Sequence, residues 1–310
     1  MGVKRLKIRI SGFCQMGGIS EAVKFLLPNE DVMIMPLKST WPLEHTRGPG
    51  GPDGYEVFAS EMSTIDVLLT VEKGLEDLVR QFKSNAIVLR WPQISFAGFH
   101  PDIALATSRG NDITSMGGCP YNSTIVLWCW LNRLSIDSVL KLFTNNVFKS
   151  FGYFNCWGHS ADLLSSHFKE CNLDFNCFFN AVKRKGVFMH SDVHASAYPI
   201  ILLAKQLVKK IVLRFDVPYV EFDAPIERYL NDTLLFDAVW PVYPEIGDVL
   251  GVKGSYIWKY RSSIYYGLEE YVVSSYLEYD KQSIDRSGVI SSKINSFSMS
   301  ALEYWSKKLL

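Results

Sequence analysis

The hydrophobic positions of the first hundred residues alternate between strand patterns and helix patterns. Lys7–Ser11 repeats with a period of two, whereas residues 19–27 and 75–82 each place apolar side chains on one helical face. Three further short apolar runs occur at residues 32–35, 66–71 and 86–89. Short apolar runs separated by helices predict parallel strands that are buried on both faces. We therefore predict an α/β domain with a small parallel sheet and an SGNH- or flavodoxin-like winding.

Longer helical patterns replace this alternation after residue 123. They cover residues 124–134, 136–143, 161–171, 175–183 and 195–213. Prolines interrupt the pattern beyond residue 218, and aromatic helices are predicted near residues 260–279 and 300–308. The predicted organisation is an α/β domain at 1–110, a mainly α-helical domain at 111–215 and a mixed, mostly helical region at 216–310 that packs on both.

Composition and charge argue against several classes of protein. The 310 residues carry 32 basic and 32 acidic side chains, so a formal net charge of zero gives no field that attracts nucleic acid. The N-terminal residues lack the apolar core of a secretory signal, and the apolar stretch 198–215 carries four basic side chains. Six cysteines without a C-x-x-C pair indicate reduced thiols. We expect a cytoplasmic protein with no transmembrane segment and no bound metal.

The turn after the first predicted strand carries a candidate nucleophile. Residues 11–18 read SGFCQMGG, and ligands bind at this edge of a parallel sheet in α/β proteins. The start of a helix favours the thiolate form of Cys14, and backbone N–H groups at a glycine pair can hold an anion or an oxyanion. We predict Cys14 as a catalytic residue and the next four residues as cofactor contacts: Gln15, Met16, Gly17 and Gly18. The alternative for Cys14 is a small buried hydrophobic residue after a strand.

A second candidate segment, Phe-His-Pro-Asp at residues 99–102, follows the fourth predicted strand. It is therefore expected at the same sheet edge as Cys14. A neutral imidazole at His100 can remove a proton from the thiol or from an acceptor hydroxyl, and Asp102 can orient the ring. We predict both as catalytic residues. The alternative is a histidine that only caps the loop through Pro101.

Two segments that precede helices are further candidates for phosphate contacts. His190 and His194 enclose the sequence Ser-Asp-Val before the long helix. Asn122 and Ser123 precede the apolar helix that begins near residue 124. Helix capping explains the Asn-Ser pair without a ligand, and the His-x-x-x-His spacing lacks a third metal ligand. We predict these four residues as cofactor-binding. The Gly- and Pro-rich residues 45–54, which include His45, indicate a loop.

Three of these segments resemble those of the WcbI-type capsular polysaccharide biosynthesis proteins. They are the Gly-x-Cys-Gln turn at residues 12–15, the Phe-His-Pro-Asp segment at 99–102 and the histidine-bearing segment at 190–194. The resemblance implies an O-acetyltransferase that binds coenzyme A and moves acetyl from acetyl-CoA to a capsule sugar or its nucleotide-activated precursor. It also implies other capsule biosynthesis proteins as partners.

The residues leave the mechanism and two other functions open. Either Cys14 takes the acetyl group in a covalent intermediate, or it borders the thioester while the sugar hydroxyl attacks directly. In a cysteine-dependent carbohydrate esterase or deacetylase, water would replace the sugar hydroxyl. A non-catalytic subunit of a capsule assembly complex would bind coenzyme A or sugar without reaction. The chain has no P-loop, no G-x-G-x-x-G and no H-E-x-x-H motif, which disfavours ATP hydrolysis, a Rossmann site and zincin chemistry.

Overall fold

The computed structural model describes residues 5–35, 59–221, 226–294 and 296–309. The predicted loop at residues 45–54, with His45, lies outside these ranges. Two compact units are present, the first made of residues 1–94, 164–188 and 194–234, and the second of 95–163, 189–193 and 235–310. The segments of the two units alternate along the chain, unlike the consecutive ranges 1–110, 111–215 and 216–310. The predicted division into these three ranges stays a prediction.

The first unit is built on a four-stranded parallel sheet. Its strands are β1 (Lys7–Ser11), β2 (Asp31–Ile34), β3 (Val67–Thr70) and β4 (Ile87–Arg90), in the order β2-β1-β3-β4. The central strands β1 and β3 are almost completely buried, as apolar strands covered on both faces must be. The predicted parallel sheet is therefore confirmed. The SGNH- or flavodoxin-like winding stays a prediction.

Most of the helical patterns in the sequence correspond to α-helices of the structure. They are α1 (Met16–Leu26), α2 (Leu75–Phe82), α3 (Thr124–Leu131), α4 (Ile136–Leu140), α5 (Asn145–Ser150), α6 (Cys156–Glu170), α7 (Phe175–Lys183), α8 (Ala197–Phe215), α9 (Pro244–Leu250), α10 (Leu268–Lys281) and α11 (Ser296–Leu309). Residues 59–64 are also helical. In the first unit α1 buries Ile19, Val23 and Leu26 on one face and packs against α8. None of the helices in the described ranges is long and apolar enough to cross a membrane.

The second unit combines helices with small antiparallel sheets. β5 (Ile103–Ala104) pairs with β8 (Asn122–Ser123), and a second sheet contains β6 (Ala106–Ser108), β7 (Asn111–Asp112) and β12 (Val289–Ser291). A third sheet contains β9 (Ala238–Val239), β10 (Ile257–Tyr260) and β11 (Ser263–Tyr266). Aromatic side chains fill the core beside it, where the rings of Trp258 and Tyr271 stack with centroids 4.2 Å apart.

The hairpin of β10 and β11 corrects the prediction of a helix that begins near Tyr260. Along β10 the side chains alternate, so that Trp258 and Tyr260 are buried while Ile257 is exposed. Arg261 adopts a positive φ of 53°, which reverses the chain between the two strands. Helix α10 starts only after Gly267. The predicted helix is thus wrong up to residue 266, where the aromatic residues lie on strands, and right from Leu268 onward.

Candidate functional site

The turn after β1 lies where the strand order of the sheet reverses. β1 pairs with β2 on one side and with β3 on the other, so β1 and β3 end side by side. Their last residues are joined by a buried hydrogen bond of 3.0 Å between the hydroxyls of Ser11 and Thr70. Crevices outside the carboxyl ends of strands at such a point are the usual ligand sites of open α/β sheets. The turn at residues 12–18 is therefore the first candidate site.

Close packing fixes the glycines at the two ends of this turn. A Cβ atom added to Gly12 would lie 2.6 Å from Cζ2 of the buried Trp91 indole, so a side chain does not fit there. A Cβ atom added to Gly18 would lie 3.1 Å from the side chain of Ile200 in α8. At Gly17 an added Cβ atom would meet nothing within 4 Å. The beginning of α1 is thus packed at Gly18 and open at Gly17.

Cys14 is exposed, whereas its neighbour Gln15 is completely buried. The Gln15 side chain donates to the Ile94 carbonyl at 2.7 Å and accepts from the Ile94 N–H at 3.0 Å. These two bonds tie the turn to the segment that follows β4. The Gln93 amide nitrogen lies 3.9 Å from Cys14 Sγ, at the distance of a weak N–H···S hydrogen bond. The thiol is therefore held in position by its neighbours while its surface stays accessible.

The first turn of α1 offers positive backbone groups next to this thiol. Gln15 occupies the N-cap position, but its side chain does not cap the helix, and the first turn contains no acidic residue. The first N–H groups of a helix lack partners within it and carry partial positive charge. Such a helix start binds anions, including phosphate and oxyanions. Met16, Gly17 and Gly18 form this turn, and their contact with a cofactor stays a prediction.

His100, the predicted base, is buried in the second unit. Only 1% of its surface is exposed. Burial lowers its pKa to about 3, although the backbone of Trp240 and Ser191 favours the protonated ring. Electrostatic interactions with His190 and Lys293 lower the pKa of His100 further. The ring is therefore neutral at ordinary pH, and it is a weak base as long as it stays buried.

Asp102 is fully buried and its carboxylate is bonded to tyrosine hydroxyls. Tyr153 donates to Oδ1 at 2.7 Å, and Tyr243 donates to Oδ2 at 2.8 Å. Burial raises the pKa of this carboxyl, and the hydroxyl donors oppose that shift. The hydrogen bond expected between Asp102 and the His100 ring is not formed, because neither ring nitrogen reaches the carboxylate with hydrogen-bond geometry. A role of Asp102 in positioning His100 must therefore act without that bond.

Asn122 and Ser123 are buried and are used by the fold. The Asn122 side chain donates to the Ile113 carbonyl at 2.9 Å and accepts from the Tyr279 hydroxyl at 2.9 Å. Ser123 is the N-cap of α3, where its hydroxyl accepts from the Val126 N–H at 3.2 Å. The expected capping is therefore confirmed for Ser123. A contact of Asn122 or Ser123 with a cofactor stays a prediction.

His190 and His194 lie in different units. The His190 carbonyl accepts from the Trp240 N–H at 2.7 Å in the second unit, and His194 is buried in the first. At the start of α8 the carboxylate of Asp232 accepts from the Ala197 N–H at 3.0 Å. A carboxylate therefore already occupies part of the helix start at which phosphate was predicted. The described ranges contain no group of three or more His, Cys, Asp or Glu side chains that could hold a metal ion.

Lys293 and Asp192 are charged residues of the second unit that sequence reasoning missed as site residues. Lys293 Nζ donates to the Pro101 carbonyl at 2.6 Å. Burial lowers the pKa of Lys293, and electrostatic interactions with Asp192, Asp102 and Cys156 oppose this shift. Burial raises the pKa of Asp192 to about 6, and Lys293 opposes it. No local motif marks Lys293, because only the tertiary fold brings it to the Phe-His-Pro-Asp segment.

The predicted site residues divide between the two units. Cys14, the next four residues and His194 belong to the first, and His100, Asp102, His190, Asn122 and Ser123 belong to the second. The turn of Cys14 is an exposed site at the sheet edge, whereas the His100 segment is buried in its own unit. The approach of His100 to Cys14, expected from a common sheet edge, stays a prediction.

Comparison with known proteins gives one family and one fold. The family model described as the polysaccharide biosynthesis enzyme WcbI matches residues 63–215. A solved structure of WcbI, described as a native protein without a disulfide bond between coenzyme A and the cysteine at position 14 of that protein, has a TM-score of 0.63. The similarity covers 97% of this chain and 99% of that one at 12% sequence identity, so it shows a shared fold. No curated protein matches this sequence.

Proposed function

We propose that this chain is a coenzyme A-dependent O-acetyltransferase. The match of residues 63–215 to the family model described as the polysaccharide biosynthesis enzyme WcbI supports this proposal. In this proposal it transfers the acetyl group of acetyl-CoA to a hydroxyl of a capsular polysaccharide sugar or of its nucleotide-activated precursor. We further propose that it acts in the cytoplasm, together with other capsule biosynthesis proteins. The matched residues include two of the three motifs, those at 99–102 and 190–194, whereas the turn at 12–15 lies outside the match.

The observation that carries this proposal is the exposed thiol of Cys14 beside the uncapped start of α1. Coenzyme A brings a sulfur that can exchange or transfer an acyl group, together with negatively charged phosphates. A thiol next to positive helix N–H groups suits both parts of such a ligand. The similar WcbI structure is described by the absence of a disulfide between coenzyme A and a cysteine, and such a bond requires an accessible thiol.

The proposed reaction forms a carbon–oxygen bond and breaks the carbon–sulfur bond of the thioester. The acceptor oxygen attacks the carbonyl carbon, its proton passes to a base, and the sulfur of coenzyme A leaves as a thiolate that is then protonated. The backbone N–H groups of Gly17 and Gly18 are suited to stabilise the oxyanion of the tetrahedral intermediate, whereas the Met16 N–H already donates to the Phe13 carbonyl at 3.0 Å. In the covalent variant the Cys14 thiolate attacks first, coenzyme A leaves, and the acceptor then attacks the acetyl-cysteine.

We assign the base to His100 and a supporting role to Asp102. The neutral ring of His100 is able to accept a proton, but its pKa of about 3 has to rise in the reacting complex. Asp102 is held by Tyr153 and Tyr243, so it supports the segment through its fixed position and its charge. The proposed cofactor contacts comprise Gln15, Met16, Gly17, Gly18, Asn122, Ser123, His190 and His194.

The burial of His100 favours a second candidate function, a non-catalytic subunit that binds coenzyme A or sugar. A binding subunit needs no general base, so the strongly lowered pKa of His100 is compatible with this alternative. It predicts that acetylation in cells is unchanged by Cys14→Ala or His100→Ala. The transferase predicts that both variants lose acetylation while the folded protein persists.

Calorimetric titration with coenzyme A, acetyl-CoA and ATP tests the class of cofactor. We expect both coenzyme A species to bind, and ATP to bind much more weakly. Rapid mixing with radiolabelled acetyl-CoA then measures transfer and any trapped acetyl-cysteine. If the reaction passes through acetyl-cysteine, Cys14→Ser should lose transfer, whereas Cys177→Ser, which changes the other exposed thiol, should retain it. Failure to bind coenzyme A contradicts the proposal, and hydrolysis of acetyl esters without coenzyme A indicates an esterase.

A further inference from the structure

A groove along α7 and α8 in the first unit has no part in the proposed reaction. Its volume is about 440 Å³, within the range of roughly 300–1,000 Å³ that is typical of small-molecule sites. All of its lining residues belong to the first unit, and none of them belongs to the turn at residues 12–18. The groove is therefore a candidate site of its own.

The walls of this groove are largely apolar. Five of the lining side chains are hydrophobic: Leu173, Phe178, Ala181, Leu202 and Leu213. Leu173 and Phe178 are buried, whereas Leu213 is 77% exposed. Apolar surface in the groove is thus in contact with water, and an aliphatic chain would remove it from water.

Hydrogen bonds between α8 and the residues before α7 fix the two walls relative to each other. The Gln206 side chain accepts from the Asp174 N–H at 2.8 Å and donates to the Asp174 carbonyl at 2.9 Å. Lys210 donates to the Asn172 carbonyl at 2.6 Å, and the Asp174 carboxylate accepts from the Cys177 N–H at 2.9 Å as the N-cap of α7. The groove is therefore formed before a ligand binds, which lowers the entropic cost of binding.

Lysines of α8 give the groove a positive charge. Lys205, Lys209 and Lys210 line it, and Asp174 is the one acidic side chain among the described lining residues. Lys205 and Lys209 are one helical turn apart, a spacing at which like charges repel each other. Neither of them takes part in the salt bridges found within the described ranges. An anion beside this pair would be attracted by both ammonium groups.

We propose that this groove binds an amphiphile that has an unbranched aliphatic chain and a carboxylate head group. The chain lies on the apolar walls, and the carboxylate accepts charge-assisted hydrogen bonds from Lys205 and Lys209. A sugar fits these walls poorly, because leucine and phenylalanine side chains offer no partners for its hydroxyl groups. A cationic amphiphile shares the chain but is repelled by the lysines. This inference concerns a site apart from Cys14, so it does not depend on the proposed transferase.

Calorimetric titration of the full chain with dodecanoate, below its micelle concentration, tests this inference. Butyrate keeps the head group but lacks most of the chain, and it should bind at least about tenfold more weakly. Dodecyltrimethylammonium keeps the chain and reverses the charge, and it should also bind at least about tenfold more weakly. Lys205→Gln/Lys209→Gln should reduce the affinity for dodecanoate about tenfold. Lys24→Gln/Lys169→Gln, the matched control, removes two exposed lysines outside the groove and should retain the affinity.

A substitution that fills the groove tests where the chain binds. Ala181 is half-buried in the wall that α7 forms, so Ala181→Phe places a ring in the groove. This variant should bind dodecanoate at least about tenfold more weakly. Asn180→Phe adds the same ring at an exposed neighbour outside the lining, and its affinity should equal that of the parent protein.

The exposed thiol of Cys177 lies in the groove wall and provides a readout that needs no substitution at the lysines. Dodecanoate should slow alkylation of Cys177 by iodoacetamide severalfold and leave the rate at Cys14 unchanged. Coenzyme A, titrated separately, reports on the proposed function through Cys14, so the two proposals fail independently. Equal binding of dodecyltrimethylammonium, unchanged affinity in a folded Lys205→Gln/Lys209→Gln protein, or absence of Cys177 protection would overturn the inference.

Discussion

The hydroxyl of Tyr243 donates a 2.8 Å hydrogen bond to Oδ2 of Asp102, deep in the second unit. Tyr153 serves the other carboxylate oxygen, and the backbone carbonyl of Asp102 accepts from both the N–H and the hydroxyl of Thr124. Asp102 thereby connects the segment after His100 with the start of α3 and with the residue that precedes α9. A buried carboxylate is tolerated only with such partners. The acid of the Phe-His-Pro-Asp motif therefore has a structural role whether or not it also acts in catalysis.

Removal of one tyrosine hydroxyl should destabilise this network measurably. Tyr243→Phe leaves Oδ2 of Asp102 without its hydroxyl donor, so we expect the free energy of unfolding to fall by about 1–3 kcal/mol. The measurement is urea denaturation of the variant and the parent protein. Tyr266→Phe serves as the control, because Tyr266 is 67% exposed and should change stability by less than about 0.5 kcal/mol. Equal stability of both variants would contradict this account of Asp102.

The buried His100 makes the protein less stable in acid. The ring has a pKa of about 3 when folded and about 6.5 when unfolded, so between these values the native state binds fewer protons. Stability should therefore fall as the pH drops from about 6.5 toward 3, by about 1.4 kcal/mol per pH unit over much of that range. Asp192 has the opposite effect on stability. Because its pKa in the folded state is about 6, the native state binds more protons than the unfolded state between about pH 4 and pH 6.

Urea denaturation at several pH values separates these contributions. His100→Gln should flatten the loss of stability below pH 6.5, because the substituted side chain does not titrate. Asp192→Asn should steepen that loss, since it removes one opposing group, although Asp102, whose pKa burial also raises, continues to act in that direction. His159→Gln, which changes an exposed histidine of the same unit, is measured beside His100→Gln as the matched control. A His100→Gln slope equal to that of the parent protein would show that His100 does not have the lowered pKa.

Thiol accessibility gives a direct test of the geometry around Cys14. Cys14 and Cys177 are exposed, whereas the other four cysteines are buried or half-buried. We expect two rapidly reacting thiols with a disulfide reagent under native conditions and all six after denaturation. Cys14→Ser and Cys177→Ser should each remove one rapid equivalent. Coenzyme A should protect Cys14 alone, and protection of Cys177 instead would place the cofactor elsewhere.

Local patterns predicted most of the α/β framework but not the contacts around Asp102. The apolar periods of α2 and α7 gave their boundaries directly, because burial of one helical face follows from sequence spacing. The partners of Asp102 cannot be read in this way, since Tyr153 and Tyr243 lie 51 and 141 residues further along the chain. Only the completed fold brings them together.

The candidate site shows the same division between local and tertiary information. The exposed position of Cys14 agrees with the prediction from a strand followed by a glycine-rich turn, because the signal lies within eight residues. The burial of His100 and the position of Lys293 depend on segments up to 192 residues apart. A sequence motif can therefore identify a candidate reactive residue, but the pKa of that residue depends on neighbours that only the tertiary fold supplies.

Substitution by alanine should have opposite effects on stability at the two glycines on either side of Cys14, Gly12 and Gly17. Gly12→Ala places a Cβ atom 2.6 Å from the ring of Trp91, which is buried and cannot withdraw, so we expect a loss of about 1–3 kcal/mol in unfolding free energy. Gly17→Ala meets no atom within 4 Å inside α1, where alanine is favoured over glycine by up to about 1 kcal/mol, so stability should stay equal or rise. Urea denaturation compares both variants with the parent protein. Gly12 sets the path of the turn, so Gly12→Ala should also change the reaction rate of the Cys14 thiol. If neither this rate nor the unfolding free energy changed, the close packing of Gly12 on Trp91 would not be what holds this turn.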